Sequence, residues 1–303
     1  MSLALVFPGQ GAQEQGMGIG VLDEGAPGHA IAVEASDILD IDVVALACRA
    51  ETETIRSTEI AQPLLLVLSV ALLHSLPERT REAVGAVAGH SLGEYTALAA
   101  SGALPWQEAL TLVRERGLAM AEASGPKQGM SAVLGLDGAA VEEALAAATG
   151  DGLVVVANHN APGQVVISGE LTAIEAASEQ LKAAGARRLM PLSVAGAFHS
   201  PLMSAAAARL GAALDAAPLV DGRPQAFNVD GAIRTEAAEI RSALRAQLTS
   251  AVRWTDCVAT MGDLGVDRFL ELGPGSTLTA MGKRINPDAN WISLSKPEAL
   301  VGL

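Results

Sequence analysis

A serine between two glycines carries the strongest chemical signal in this sequence. Segment 89–93 reads G-H-S-L-G, after a short apolar run at 83–88 and before a helical run from about residue 94. In a strand–turn–helix of this kind the serine oxygen is pushed clear of the sheet, and the N–H of Leu92 can face a developing oxyanion. The pattern predicts Ser91 as a nucleophile, and an ordinary strand–helix turn is the alternative.

A serine nucleophile needs a base, and two of the five histidines are candidates. His199 lies where the chain leaves a small middle domain, whereas His159 lies inside that domain between two asparagines. A base at a seam between domains suits a cleft site. The acids between serine and histidine, Asp137 and Asp151, fall at the ends of predicted elements and do not look like orienting carboxylates. Either a backbone carbonyl orients the histidine, or this is not a standard hydrolase.

The helix predicted over 106–122 carries two arginines beside its apolar face. Arg114 and Arg116 are two residues apart, which places them about 160° apart around the helix, so helix geometry does not choose between them. A buried arginine that faces a cleft binds a carboxylate through two parallel hydrogen bonds. For each arginine, the alternative is a solvated surface charge.

The elements that must position these residues form an α/β pattern. A strand at 3–7 is followed by a glycine-rich loop at 8–13, and 266–272 is a further strand. The middle of the chain predicts the order β-α-β-β-α-β of the ferredoxin-like fold, with strands at 130–136, 153–158, 164–168 and 187–192 and helices at 138–148 and 171–184. We therefore predict a mostly parallel sheet with helices on both faces, formed by residues 1–126 and 195–303, and an inserted subdomain at 127–194.

Composition excludes several classes of protein. The 303 residues are 50% hydrophobic and 18% charged, with a net charge of −14, so nucleic acid and anionic membranes are poor partners. The longest nearly apolar run, 64–73, is too short to span a bilayer, and no basic region precedes the apolar N-terminus. Cys48 and Cys257 form no metal-binding or disulfide pattern. We expect a cytoplasmic protein without a metal site.

Six motifs together resemble the malonyl-CoA:acyl carrier protein transacylase family, which is related to the acyltransferases of polyketide synthases. They are F-P-G-Q-G-A-Q at 7–13, G-H-S-L-G-E-Y at 89–95, V-R-E-R-G at 113–117, V-V-I-S-G at 165–169, G-A-F-H-S at 196–200 and E-L-G-P-G at 271–275. They follow the family's order over almost the whole chain. The resemblance implies an α/β-hydrolase-like three-layer core with an inserted ferredoxin-like subdomain.

The resemblance also implies roles for the residues that match the family's motifs. Ser91 is implied as the nucleophile that accepts malonyl from coenzyme A, and His199 as the general base. The N–H groups of Gln10 and Leu92 are implied as the oxyanion hole. Arg116 matches the arginine that binds the free malonyl carboxylate.

Four further residues are implied around this set. Gln247 matches a glutamine whose main-chain carbonyl orients the imidazole, and Asn160 matches an asparagine that lines the cleft. His90 is implied to shape the pocket, and Phe198 to crowd the extra methyl group of methylmalonyl. One departure is visible, since 250–254 reads S-A-V-R-W where the family commonly has N-P-V-R-W. We expect the lost proline to relax the loop that holds Gln247.

The implied partners are malonyl-CoA and an acyl carrier protein, with coenzyme A as a thioester substrate and no bound cofactor. The family suggests a monomer. Carrier proteins are usually acidic, so docking on this acidic chain needs a local basic patch, for which Arg187, Arg188, Lys283 and Arg284 are candidates.

Three other functions remain open at this level. A serine hydrolase or thioesterase would use the same nucleophile, although the Arg116 match and the missing triad acid argue against it. An acyltransferase of a polyketide assembly line or of malonate decarboxylase would differ only in its carrier. A catalytically silent docking module is the third.

Overall fold

A computed structural model describes residues 2–148 and 151–296. The strands are β1 Ser2–Phe7, β2 Val84–Gly89, β3 Gln128–Leu134, β4 Val154–Ala161, β5 Gln164–Glu170, β6 Arg188–Pro191, β7 Gln225–Ala226, β8 Ile233–Arg234, β9 Val266–Leu272 and β10 Asn290–Leu294. The helices are α1 His29–Leu39, α2 Val43–Arg49, α3 Thr52–Arg56, α4 Thr58–Ser75, α5 Glu78–Glu82, α6 Gly93–Ser101, α7 Trp106–Ala123, α8 Gly138–Ala147, α9 Leu171–Ala183, α10 Ser204–Ala216, α11 Ala237–Gln247, α12 Trp254–Asp263 and α13 Thr277–Ile285.

The larger sheet has six strands in the order β10-β9-β1-β2-β7-β8, all parallel except β8. Central strand β1 is buried on both faces because its residues alternate between two apolar clusters. Leu3, Leu5 and Phe7 face a cluster with α4, α6 and α7, whereas Ala4 and Val6 face one with α12 and α13. Helices therefore cover both faces, which confirms the predicted three-layer α/β core.

The second sheet is antiparallel and lies in the segment predicted as an insertion. Its strand order is β4-β5-β3-β6, and with α8 and α9 it follows the chain order β-α-β-β-α-β. It has its own small apolar cluster, in which Val133, Ile167 and Leu181 are buried. This confirms the ferredoxin-like part of the predicted fold. The predicted outer domain limits, residue 1 and residues 297–303, lie outside the described residues.

Helix α4 begins at Thr58, so Pro63 lies inside it. A proline has no N–H to donate to the carbonyl one turn earlier, which here is that of Glu59. The Arg114 guanidinium donates to this carbonyl instead, with Nη1 2.9 Å from the Glu59 oxygen. The structure thus assigns Arg114 a helix-stabilising contact, which the sequence left open.

Helix α4 also has the length and composition of a membrane span, since its 18 residues have a mean hydropathy of 1.4. However, 72% of this window is buried inside the molecule. A core helix has the same properties, so the pattern is weak evidence for a membrane span. The nearly apolar run 64–73 lies inside this helix.

Candidate active site

Ser91 lies in a strained turn between β2 and α6, at the carboxyl end of the parallel sheet. Its φ angle is +53°, which a non-glycine residue rarely adopts. The turn requires both flanking glycines, because a Cβ on Gly89 would overlap the Gly93 backbone and one on Gly93 would overlap the Phe7 carbonyl. The geometry is the one that the G-x-S-x-G segment predicts.

His199 is the histidine that the fold brings to Ser91. Its Nε2 is 2.7 Å from the Ser91 Oγ, and its Nδ1 is 3.1 Å from the Gln247 carbonyl and 3.2 Å from that of Ser250. Two carbonyl acceptors place a hydrogen on Nδ1 and leave Nε2 free to accept the serine proton. Main-chain carbonyls thus occupy the position of a triad acid. Asp137, one of the acids weighed from sequence, caps α8 instead.

Burial keeps the His199 imidazole neutral. It lowers the pKa of His199 to about 3, and the positive charge of Arg116 acts in the same direction. A neutral imidazole at physiological pH is the form that can accept a proton.

Arg116 is buried beside the nucleophile with an exposed fraction of 1%. Its Nη2 donates to the Ser91 Oγ at 2.9 Å, and it also donates to two neutral amide oxygens, Gln62 Oε1 at 2.7 Å and Gln247 Oε1 at 3.0 Å. Its guanidinium carbon lies 5.7 Å from the centre of the Tyr95 ring. Among the described residues no carboxylate forms a salt bridge with it. A buried guanidinium without a counter-ion is a strong site for a ligand carboxylate. The structure thus distinguishes Arg116 from Arg114, which helix geometry alone could not do.

Gln10 and Leu92 lie on the two loops that flank the serine. Gln10 lines the cleft from the glycine-rich loop after β1, and its side chain is anchored by hydrogen bonds to Thr58 and Gln62. Leu92 is the N-cap of α6, where helix N–H groups have no partner within the helix. This placement is compatible with the oxyanion hole implied for their N–H groups.

The site opens into a cleft of about 260 Å³ between the core and the inserted subdomain. His90, Asn160 and Phe198 all line it, and His90 Nε2 is 2.9 Å from Asn160 Oδ1. Since alternate residues of a strand face opposite sides, Asn158 and Asn160 face the cleft while His159 packs its ring beside Gly138. His159, the alternative base, is therefore not part of this cleft.

The loop that departs from the family's N-P-V-R-W is held by the inserted subdomain. Val252 forms a parallel bridge with Asn158, with its N–H donating to the Ala157 carbonyl at 2.8 Å and its own carbonyl accepting from His159 at 2.9 Å. These bonds fix the loop without a proline, so the expected relaxation is not visible. The Ser250 carbonyl accordingly stays within hydrogen-bonding distance of the His199 ring.

Three polar residues around the site had no predicted role. Gln62 and Asn228 contact Arg116 and the Ser91 turn, and Glu94 is buried behind them. Glu94 was visible in the G-H-S-L-G-E-Y motif, whereas nothing local in the sequence marks Gln62 or Asn228. Within 2–148 and 151–296, no group of three or more His, Cys, Asp or Glu side chains is placed to hold a metal ion.

The fold and the site together define a class of α/β proteins in which a serine on a strand–helix turn is hydrogen-bonded to a histidine from a distant segment. The acyl transferase domain family matches residues 4–302, and the chain belongs to this family. This confirms the resemblance that the motifs indicated.

Relatives and solved structures of similar length carry a more specific name. The chain is 40% identical over 301 residues to the "Malonyl CoA-acyl carrier protein transacylase" of Bacillus subtilis (strain 168), covering 98% of this chain and 95% of the relative. The protein of that name from Escherichia coli (strain K12) is 39% identical over 306 residues, with 98% and 97% covered.

Two solved structures are similar throughout. An acyl carrier protein S-malonyltransferase from Vibrio cholerae has a TM-score of 0.93 at 36% identity, with 99% of both chains covered. A malonyl-transacylase in complex with its type II PKS acyl-carrier protein has a TM-score of 0.94 at 38% identity, with 99% and 98% covered.

Proposed function

We propose that this enzyme transfers malonyl from malonyl-CoA to the phosphopantetheine thiol of an acyl carrier protein through a malonyl ester on Ser91. The observation that carries the proposal is Arg116, a buried guanidinium that forms no salt bridge with a carboxylate of residues 2–148 and 151–296 and whose Nη2 is 2.9 Å from the nucleophilic oxygen. In a malonyl group the free carboxylate is separated from the reacting carbonyl by a single methylene. A malonyl ester on Ser91 therefore places its carboxylate within reach of Arg116.

In the first half-reaction His199 accepts the Ser91 proton as Oγ attacks the thioester carbonyl. The N–H groups of Gln10 and Leu92 stabilise the oxyanion, and each such donor typically contributes about a hundred- to a thousandfold in rate. The intermediate collapses, the C–S bond breaks, and the coenzyme A thiolate takes the proton from His199. The products are malonyl-Ser91 and free coenzyme A.

In the second half-reaction the carrier's thiol takes the place of coenzyme A. His199 accepts the thiol proton, the thiolate attacks the ester carbonyl, and the C–O bond to Ser91 breaks. The proton returns to Ser91, which completes a ping-pong cycle. Coenzyme A enters as the substrate's thioester carrier, and the scheme uses no bound cofactor or metal.

The finer features of the proposal follow the family. The carrier belongs to fatty acid or polyketide synthesis, and the enzyme acts as a cytoplasmic monomer. Phe198, buried at the cleft wall, leaves little room for the methyl group of methylmalonyl. We therefore propose malonyl-CoA as the preferred donor.

Product analysis separates transfer from hydrolysis. Malonyl-CoA is incubated with the enzyme, with and without the phosphopantetheinylated carrier, and malonyl-carrier and free malonate are quantified. The proposal predicts malonyl-carrier as the main product, slow malonate release without carrier, and neither with Ser91→Ala. Fast malonate release that the carrier does not divert would identify a thioesterase instead.

A further inference from the structure

Glu94 is a buried carboxylate that the reaction scheme does not use. It lies in the first turn of α6, three residues after Ser91, with an exposed fraction of 0%. Burial raises the pKa of Glu94, whereas the hydrogen bonds from Asn228 and Gln247 and the charge of Arg116 lower it, and no salt bridge to it is formed within the described part of the chain. Burying a carboxyl group without a salt bridge lowers the free energy of unfolding. Its hydrogen bonds are therefore candidates for a role in the site.

Two side-chain amides hold the Ser91 turn from opposite sides. The Asn228 Oδ1 accepts the Ser91 N–H at 2.6 Å, and its Nδ2 donates to the Gly89 carbonyl at 2.8 Å. The Gln247 Nε2 donates to the Ser91 carbonyl at 2.9 Å, and its Oε1 accepts from Arg116 Nη2 at 3.0 Å. The nucleophile and the guanidinium are thus joined through Gln247.

Glu94 accepts hydrogen bonds from both of these residues. One oxygen accepts the main-chain N–H of Asn228 at 2.5 Å, and the other accepts from the Gln247 Nε2. The Gln247 Nε2 also donates to the Ser91 carbonyl, which can only accept, so the amide turns its NH₂ towards Ser91 and Glu94. Its Oε1 then faces Arg116, whereas the reversed amide would place N–H donors against the guanidinium.

The orientation of this amide matters for substrate recognition. Arg116 is held by two amide oxygens, from Gln62 and Gln247, which align the guanidinium without neutralising its charge. A carboxylate in place of either amide would compete with the substrate for that charge. The arginine is therefore both fixed in position and available to a ligand carboxylate.

We propose that Glu94 is a positioning residue for recognition of the malonyl carboxylate, acting through Gln247 on Arg116. The inference rests on the proposed function and deepens it. Glu94 does not touch the reacting atoms, and its effect is on how well the site distinguishes a carboxylate-bearing acyl group from a plain one. In this role it differs from a carboxylate that only stabilises the fold.

Glu94→Gln is the direct test, because a glutamine cannot accept with both terminal atoms. The readout is the ratio of kcat/KM for malonyl-CoA to that for acetyl-CoA. We expect malonyl transfer to fall about tenfold or more, which corresponds to the loss of one buried charged hydrogen bond, while acetyl transfer changes much less. Equal losses with both substrates would overturn the proposal, since a merely structural role predicts them.

Glu271→Gln is the matched control. Glu271 is also fully buried, and its two oxygens accept from Leu278 and Thr279 at the start of α13 instead of from the Ser91 network. This variant is expected to lose stability but to keep the malonyl-to-acetyl ratio. A fall in the ratio as large as that of Glu94→Gln would contradict a specific role for Glu94.

Gln247→Ala keeps the test decisive if Glu94→Gln does not fold. It keeps the main-chain carbonyl that faces His199 but removes the amide through which Glu94 acts. We expect Gln247→Ala to lower the malonyl-to-acetyl ratio. Adding Glu94→Gln to this variant should lower the ratio by less than a further factor of two, because both changes act through the same amide. An unchanged ratio in Gln247→Ala, or a full additional loss in the double variant, would refute the route through Gln247.

The outcomes for the two proposals are distinct. If the wild type transfers malonyl and Arg116→Ala loses it, but Glu94→Gln and Gln247→Ala keep the ratio, only the role of Glu94 is wrong. If the wild type transfers no malonyl, the proposed function fails and the role of Glu94 with it.

Discussion

At the scale of single residues, the site uses a buried arginine and a buried histidine. Neither forms an ion pair with a carboxylate in the described part of the chain. Arg116 is buried and donates to neutral amides, and His199 is neutral, with hydrogen bonds to main-chain carbonyls and to the serine. A second arginine of α7, Arg114, instead donates to the Glu59 carbonyl, which receives no helical hydrogen bond from Pro63. Two arginines on one helix thus have separate tasks, which their environments explain.

Arg116→Ala is expected to lower kcat/KM for malonyl-CoA by a hundredfold or more and to raise acetyl transfer relative to malonyl. A lost charged contact in a buried site costs about 3 kcal/mol, and each 1.4 kcal/mol is tenfold. Arg114→Ala is the control, since it removes the same charge from the same helix and should keep the preference for malonyl. Unchanged selectivity in Arg116→Ala would contradict the assignment.

The pH dependence of loading tests the state of His199. With a pKa of about 3, the imidazole stays neutral from pH 7 down to pH 5. We expect the single-turnover rate of Ser91 loading at saturating malonyl-CoA to change less than twofold over this range. A histidine at its ordinary pKa of about 6.5 would be mostly protonated at pH 5, and loading would slow about 25-fold between pH 7 and pH 5. A fall of that size would show that burial does not hold His199 neutral.

At the scale of elements, the turn from β2 to α6 is possible because three backbone segments approach closely. Gly89 and Gly93 lie against one another, and Gly93 lies against the end of β1. The same approach places the loop after β1, which carries Gln10, beside the serine. The two glycines therefore position both halves of the proposed oxyanion hole.

Gly93→Ala should be poorly tolerated, because the added methyl group overlaps the Phe7 carbonyl. We expect a loss of about 2–3 kcal/mol in the free energy of unfolding and at least a tenfold loss in the loading rate. Denaturant unfolding and single-turnover loading measure the two effects.

Gly262→Ala provides the contrast. Gly262 lies inside α12, where an added Cβ meets only Asn286 Nδ2 at 3.5 Å. A helical glycine replaced by alanine is expected to gain about 0.5–1 kcal/mol and to leave loading unchanged. Similar behaviour of the two variants would contradict the close approach at Gly93.

The sequence predicted the elements next to motifs better than those away from them. Strand 266–272 and helix 106–122 agree with β9 and α7, because apolar periodicity and flanking turns mark their ends. Strand β3 is displaced by two residues from 130–136, since Gly135 adopts a φ of +99° and ends it early. Strands β7 and β8 were not predicted, because two residues carry no periodic signal and depend on pairing with distant chain.

The site was predictable where a local motif marks it and not where the fold assembles it. Ser91, Leu92 and His199 stand in recognisable segments. The separation of Arg116 from Arg114 depends on where α7 packs against α4, which no local pattern records. Likewise, Asn228 reaches Ser91 across 137 positions of sequence, so its contact with the nucleophile could be found only in the fold.

At the scale of the whole molecule, two exposed basic pairs lie at the start of β6 and near the end of α13. They are Arg187 with Arg188 and Lys283 with Arg284. The Arg187 side chain lies against Gly135, and the Arg284 guanidinium lies near Gly163. Gly135 donates to the Gly163 carbonyl, and Arg284 also donates to Gln164 at 2.7 Å. One residue of each predicted pair, Arg187 and Arg284, thus lies beside the contact between Gly135 and Gly163 in the subdomain.

Charge reversal at Arg187 and Arg188 tests this patch. We expect Arg187→Glu/Arg188→Glu to raise the apparent KM for an acidic carrier about fivefold or more at low salt, with less effect at high salt because screening weakens exposed charges. The loading rate from malonyl-CoA should not change.

Arg49→Glu/Arg56→Glu is the control for net charge. Both arginines are exposed on α2 and α3 of the core, and their reversal changes the charge of the molecule by the same amount. If both double variants weaken the carrier interaction equally, net charge and not the patch determines docking.

The intact mass of the protein after mixing with malonyl-CoA shows directly whether Ser91 carries a malonyl ester. We expect one malonyl adduct on the wild type, none on Ser91→Ala, and its loss to a phosphopantetheinylated carrier protein faster than to water. No adduct on the wild type, an adduct that persists in Ser91→Ala, or one that water removes faster than the carrier does would contradict transfer through a malonyl-Ser91 ester.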